Sequence, residues 1–238
     1  MKIKLIFAYD GSRFYGSATQ RHKKTVQDTL FRALQAFNIK EMPLFASRTD
    51  KGVHALNAVA LINTINLDID LRYFVKKLNS YLNPSIHIKR AFVVDDDFEV
   101  RFAVKKRQYK YILNHSTYSP FLSQYQLFYP ALDLSKTNEL LSLFLGENDF
   151  KFFQKQGKEN TIRTIYKANA KRYKHYTIFT FEANGFLRAQ VRLMMSAVLR
   201  TLEAKLSKDE LLLQIKAKKE FVRVLAPPNG LYLSRIYY

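Results

Sequence analysis

From Lys2 to Tyr9 the chain alternates polar and apolar residues, with Ile3, Leu5, Phe7 and Tyr9 on one face. That period of two is the mark of a half-buried strand. The period then changes. Thr25 followed three residues later by Asp28 forms a capping-box pattern, after which Val26, Leu30, Ala33, Leu34 and Phe37 recur at helical spacing. Asn57 to Ile65 reads as a buried strand, and Leu71 to Leu82, with Phe74, Val75, Leu78 and Leu82 on one side, as a helix stopped by Asn83 and Pro84. Ile86 to Val94 predicts another strand. The order strand, helix, strand, helix, strand is that of an α+β sandwich with helices on one sheet face.

The second half has a similar rhythm. Gln108 to Asn114 and Thr177 to Ala183 alternate as strands, Ser135 to Leu145 reads as a helix closing on Gly146, and Phe186 to Glu203 continues helically without a breaker. No Pro/Gly/Ser linker marks the junction near Ala103. Two subdomains, 1–103 and 104–238, are therefore expected to share an interface or a continuous sheet.

Composition narrows the class of protein. The 238 residues are 47% hydrophobic and 14% aromatic, with 7 Gly and 6 Pro, enough to build a core without covalent staples. The absence of Cys excludes disulfide frameworks, Cys-ligated zinc, iron–sulfur clusters and thiol nucleophiles. Asp10 arrives before any hydrophobic run of signal-peptide length, and no stretch approaches the roughly 20 apolar residues of a membrane span. A soluble cytoplasmic protein with no membrane segment is expected.

Charge points to a partner. The formal net charge is +19, divided as +6 over residues 1–103 and +13 over 104–238. Such a field concentrates polyanions, and neutralising phosphates releases condensed counterions. Basic residues are also interleaved with tyrosines, in Lys105, Lys106, Arg107, Tyr109, Lys110, Tyr111 and in Lys171, Arg172, Tyr173, Lys174, Tyr176. Cations that grip phosphates beside rings that stack on bases suit single-stranded or splayed RNA. A solvated basic surface, or strands with Tyr inward and Lys outward, accounts for the same pattern.

Several chemistries lack support. The five histidines, His22, His54, His87, His115 and His175, form no His-x-x-x-His pair, so no metal site is expected. The glycines form neither a phosphate-binding loop nor a dinucleotide fingerprint. The one acidic run, Asp95 to Asp97, sits in an expected strand-end turn and is a weak basis for a metal-dependent nuclease. If the chain is an enzyme, it has no evident cofactor.

The segment Ala46-Ser47-Arg48-Thr49-Asp50-Lys51-Gly52-Val53-His54-Ala55 is the most informative. It should be a loop that presents the Asp50 carboxylate between Arg48 and Lys51. Taken alone, the pattern favours an ordinary turn made by Asp50 and Gly52, with His54 structural. This segment resembles the Arg-Thr-Asp-x-Gly-Val-His-Ala signature of the bacterial-type tRNA pseudouridine synthase A family. Five further blocks resemble the family in the same order. They are Tyr9 to Gly16 with Val26-Gln27; Arg101-Phe102-Ala103 through Arg107-Gln108-Tyr109-Lys110-Tyr111; Arg163-Thr164-Ile165; Asn184 to Leu187 with Val191-Arg192; and Ala226 to Leu233. The chain departs from the family's usual pattern at Ser17, where Trp is usual, and at Lys51, Asn57, Gln190 and Leu193.

The resemblance implies two similar α/β sandwich subdomains, mainly antiparallel, joined into one central mixed sheet with helices on one face. The first would carry the catalytic Asp loop and the second, strongly basic, would complete the active-site cleft. It further implies isomerisation of uridine to pseudouridine in the anticodon stem-loop of tRNA, at positions 38, 39 and 40, by a homodimer and without a cofactor. Asp50 is then the nucleophile, Tyr109 the ring against the uracil, Arg192 the ion-pair partner and Leu231 a further substrate contact. Arg48 is expected to fill the space left by the extruded base. Arg13, Lys51, Lys106, Arg107 and Arg188 are candidate RNA backbone contacts, with Arg188 placed one helical turn from Arg192. Core packing beside Tyr111 is the alternative for Tyr109, and a solvated helix face the alternative for Arg188. A non-catalytic RNA-binding protein explains the charge but not Asp50 among basic residues.

Overall fold

A computed structural model describes residues 1–64, 69–155, 157 and 160–238. The strands are β1 (Lys2–Tyr9), β2 (Leu44–Phe45), β3 (His54–Asn63), β4 (Ile86–Val94), β5 (Lys106–Asn114), β6 (Leu127–Phe128), β7 (Gly146–Asp149), β8 (Ile162–Tyr173), β9 (Tyr176–Ala183) and β10 (Leu231–Tyr237). The helices are α1 (Val26–Gln35), α2 (Leu71–Leu82), α3 (Leu134–Ser142), α4 (Gln190–Leu202) and α5 (Lys208–Ile215). The chain divides into two compact units, Met1–Lys105 with Tyr232–Tyr238, and Lys106–Leu231. The sequence reading kept 104–238 together, whereas the last seven residues lie with the first unit because they hydrogen-bond to β3.

In the first unit β1 is central, antiparallel to β3 with Leu5 opposite Ala60 and to β4 with Leu5 opposite Ala91. On the other edge of β3, β10 runs parallel to its start and β2 antiparallel to its end. The alternation read along β1 is the burial pattern observed, with Ile3, Leu5 and Phe7 fully buried. Thr25 caps α1 by accepting the Asp28 N–H, and its hydroxyl donates to the Asp28 carboxylate. Phe37 falls beyond the helix end and packs edge-on against Phe74 of α2, with centroids 4.8 Å apart. Asp70 caps α2, and both α2 and β4 have the bounds the pattern predicted. β3 starts at His54, earlier than Asn57, because His54 and Ala55 already pair with β10 and Ala55 with β1; the expected end at Ile65 lies outside the described residues.

The second unit has the strand order β5-β9-β8-β7, antiparallel throughout, with β6 added parallel to β5. Tyr111, Phe179 and Phe181 on the sheet and Met194 and Met195 on α4 are fully buried. The helix predicted over Phe186–Glu203 begins only at Gln190. Ala189 has φ +63°, and the Gln190 side chain accepts the Leu187 N–H at 2.8 Å, so the segment before it is a turn. Arg188 therefore stands off the helix, and its expected spacing of one turn from Arg192 does not hold. The helix predicted over Ser135–Leu145 runs from Leu134 to Ser142, capped by Asp133, and ends in a turn before Gly146. No helix among the described residues is long and apolar enough to cross a membrane.

Candidate active site

Asp50 lies in the first unit, on the loop between β2 and β3. The Val53 N–H donates to the Asp50 carbonyl at 3.2 Å, closing a turn with Lys51 and Gly52 at its corners. Gly52 has φ +79°, the value a type II turn demands at its third position, so the glycine is required by the turn. Asp50 is half-buried, and Arg48 and Lys51 on either side are exposed. Tyr9 on β1 places its hydroxyl 2.7 Å from Thr49 Oγ1. The turn is thus fixed to the sheet through Thr49, with Asp50 flanked along the chain by two basic residues.

The loop after β1 supports it from beneath. Asp10 accepts from the Ser12 N–H at 3.0 Å and from Arg13 Nε at 3.1 Å, so the Arg13 guanidinium is engaged within its own turn. His54 is buried, accepts the Gly11 N–H on Nδ1 at 3.0 Å and stacks on Tyr232 with centroids 4.8 Å apart. The same Nδ1 lies 3.4 Å from Asp10 Oδ1, so the ring is held by the loop after β1 on one side and by β10 on the other. Lys51 Nζ lies 4.4 Å from the centre of the Tyr15 ring. Arg48 forms no side-chain hydrogen bond or ion pair among the described residues.

The remaining candidates lie in the second unit. Tyr109 on β5 is 7% exposed and meets Phe186 edge-on, with centroids 5.2 Å apart. Its neighbour Tyr111 is fully buried and donates its hydroxyl to Pro227 O at 2.7 Å; burial raises its pKa and the charge of Arg192 opposes that rise. Arg192 on α4 donates from Nε to Ala226 O at 2.7 Å, and Asn229 donates to the carbonyls of Ser123 and Gln126. Leu231, at the head of β10, is buried. Three blocks far apart in sequence, around Tyr111, Arg192 and Ala226–Leu231, are therefore knit together.

The cations of this unit differ in availability. Lys106 Nζ lies 2.7 Å from Glu182, which also accepts from Gln108 at 2.7 Å. Burial alone would raise the Glu182 pKa, but those hydrogen bonds and the charges of Lys106 and Lys167 bring it below its ordinary value. Arg107 donates to Asn184 O at 3.0 Å, and Arg188 is exposed. No group of three or more His, Asp or Glu able to hold a metal ion occurs among the described residues.

A family model for tRNA pseudouridine synthase matches residues 5–103 and 140–238, most of the chain. The chain belongs to the tRNA pseudouridine synthase family. It is 56% identical over 240 residues to a tRNA pseudouridine synthase A of Campylobacter jejuni, covering 100% of both chains. It is 35% identical to that of Wolinella succinogenes, over 97% of this chain and 92% of the relative. The enzyme of Helicobacter pylori is 36% identical over 99% of both. Asp50, Arg192 and Leu231 lie within the matched segments of this synthase family member, and Tyr109 between them. Sequence reasoning singled out Ser17, Asn57 and Gln190 only as departures, yet each has a job. Gln190 starts α4, and Asn57 Nδ2 donates to Ser234 O at 2.8 Å, tying β3 to β10. Ser17 contacts the Asp50 turn itself.

Proposed function

We propose that this synthase converts uridine to pseudouridine in the anticodon stem-loop of tRNA, at positions 38, 39 and 40, with Asp50 as nucleophile and no cofactor. The observation that carries the reading is Asp50 itself: a half-buried acidic residue at the head of a braced turn, flanked along the chain by exposed Arg48 and Lys51, in a chain of this family. A carboxylate held in place needs no cofactor to attack carbon, and holding it in position supplies much of the rate. Attack at C1′ of the ribose, or at C6 of the base, frees the N1–C1′ bond and keeps the fragment bound while the base turns. C5 then bonds to C1′, the C5 hydrogen leaves as a proton, N1 gains one, and the carboxylate is released. Reactant and product are isomers, so neither oxidant nor reductant enters.

The target uridine must leave its stack, at a cost of a few kcal/mol that is least in loops and weakly paired ends. Arg48, exposed beside Asp50, can follow it into the vacated space. Tyr109 offers a ring edge-packed on Phe186 as a stacking surface for a base. The net charge of +19 supports a polyanionic substrate, and the resemblance supports a cytoplasmic homodimer, which light scattering at working concentration tests.

The decisive experiment is tritium release from tRNA transcribed with 5-tritiated uridine, comparing the native chain with Asp50→Asn. Release that depends on Asp50, with tRNA binding retained in the variant, is the expected result. Binding without release would leave an RNA-binding protein, and a large loss of affinity in Asp50→Asn would make Asp50 a structural residue.

A further inference from the structure

Three consecutive residues after β1 face three consecutive residues of the Asp50 turn in reverse order. The Ser17 N–H donates to Thr49 O at 3.1 Å, and the Thr49 N–H donates back to Ser17 Oγ at 2.8 Å. Gly16 lies flat against the next peptide: a Cβ built on it would sit 3.0 Å from Thr49 O and 3.5 Å from the Asp50 carbonyl carbon, and its φ is +103°. Tyr15 takes the Lys51 ammonium over its ring at 4.4 Å. Residues 15–17 thus form one side of a short antiparallel clamp with Asp50 at its centre.

The clamp is anchored to a helix. The Val26 N–H donates to Gly16 O at 3.3 Å and the Gln27 N–H to Ser17 O at 2.9 Å, so the first turn of α1 holds the segment that holds the turn. These are the amide groups that a helix leaves without intrahelical partners, and here they are used. Within the clamp the contacts are not equivalent. Any residue but proline at position 17 can supply the backbone N–H to Thr49 O, but the return bond needs an acceptor one atom beyond Cβ. Ser17 has that acceptor, and its side chain is fully buried.

We propose that Ser17 is a positioning residue of the isomerisation. By holding both the amide and the carbonyl of Thr49, it fixes the two peptides on either side of Thr49, the second of which leads into Asp50, and so fixes where that residue stands. This rests on Asp50 being the nucleophile. Without the hydroxyl, Thr49 keeps one of its two bonds to Ser17, and the Arg48–Thr49 peptide is free to rotate and to shift the residues that follow it. Misplacement of a reacting group by about 1 Å costs on the order of 100-fold in rate.

The test is the single-turnover rate of tritium release, with steady-state kcat and KM, tRNA affinity and thermal unfolding, for the wild type, Ser17→Ala, the near-isosteric Ser17→Cys and Asp50→Asn. Ser17→Ala should lose about 10- to 100-fold in rate with KM and tRNA affinity within twofold of wild type. Ser17→Cys, a weaker acceptor of similar size, should fall between the two while unfolding near the wild-type temperature. A wild-type rate in either folded variant, or a rise in KM alone, overturns the proposal. Should Ser17→Ala not fold, Ser17→Cys decides by the same rule. Release that persists in Asp50→Asn would instead remove the nucleophile assignment, a result distinct from any obtained at Ser17.

Discussion

Arg192 and Ala226 are joined in both directions: the guanidinium Nε donates to Ala226 O at 2.7 Å, and the Ala226 N–H donates to Arg192 O at 3.1 Å. One residue of α4 thereby holds the start of the segment that runs through Pro227 and Asn229 to Leu231. Pro227 in turn accepts from the buried Tyr111 hydroxyl. The side chain thus has a structural task alongside any part in the chemistry, and the two are separable by substitution.

Arg192→Lys keeps the charge but lacks the planar Nε donor, so the Ala226 carbonyl loses that partner. We expect a loss of about 1–3 kcal/mol in urea unfolding, the penalty for orphaning a partly buried group. Arg192→Met removes charge and bond together. If both variants unfold like the wild type while activity falls, the bracing role is wrong and the guanidinium acts only on substrate.

Much of this was legible in the sequence, for identifiable reasons. α2 and β4 show one-sided apolar spacing bounded by Asp70 and by Asn83-Pro84, so pattern and punctuation agree. β8 does not advertise itself, because Ile162, Tyr166 and Tyr173 are exposed and blur its alternation. The start of α4 is set by a positive φ at Ala189, an excellent helix former that gives no warning. α5 carries a full capping box from Ser207 to Glu210, a start signal legible in the sequence, although its apolar residues Leu211, Leu212 and Leu213 run consecutively and hide the helical period. At the site, Asp50 and Gly52 mark their own turn, but the Ser17–Thr49 bond spans 32 residues and only folding reveals it.

The cations near the expected RNA differ in a measurable way. Arg188 is exposed and forms no side-chain hydrogen bond or ion pair among the described residues, whereas Lys106 is held by Glu182 at 2.7 Å. Arg188→Ala should make the slope of log K against log salt shallower by about 1, and Lys106→Ala should leave it nearly unchanged. Filter binding of tRNA over a salt series distinguishes them. Equal changes would mean that Lys106 leaves Glu182 to reach phosphate.

Glu182 also sets an acid limit. Its folded pKa lies below the ordinary carboxylate value, so its stabilisation is fully present above the unfolded value of about 4.3 and fades as pH falls through the folded one. The stability gap between the wild type and Glu182→Gln should therefore be constant from neutral pH to about 5 and close at lower pH. Urea midpoints across that range measure it. A gap that widened on acidification would reverse the sign and exclude the Lys106 and Gln108 bonds as its cause.

The last prediction concerns how closely the loop after β1 approaches the Asp50 turn. A Cβ built on Gly11 would lie 2.0 Å from Val53 O and 2.9 Å from His54 N, both backbone atoms, so neither can swing aside as a side-chain tip could. Gly11→Ala must push the Val53 carbonyl outward, and Val53 is the residue whose N–H closes the turn on Asp50. It should cost about 1–3 kcal/mol as an overpacked site and also slow tritium release per folded molecule. Gly146→Ala is the matched comparison. Its φ of +85° disfavours a side chain, but nothing lies within 4 Å of the added methyl, and it sits at the start of β7 in the other unit. That variant should lose about 1–2 kcal/mol from backbone strain and keep its rate. Stability loss shared by both, with rate loss confined to Gly11→Ala, separates displacement of the turn from destabilisation in general. A wild-type rate in folded Gly11→Ala would show that the turn tolerates the shift and that the carboxylate is placed by other contacts.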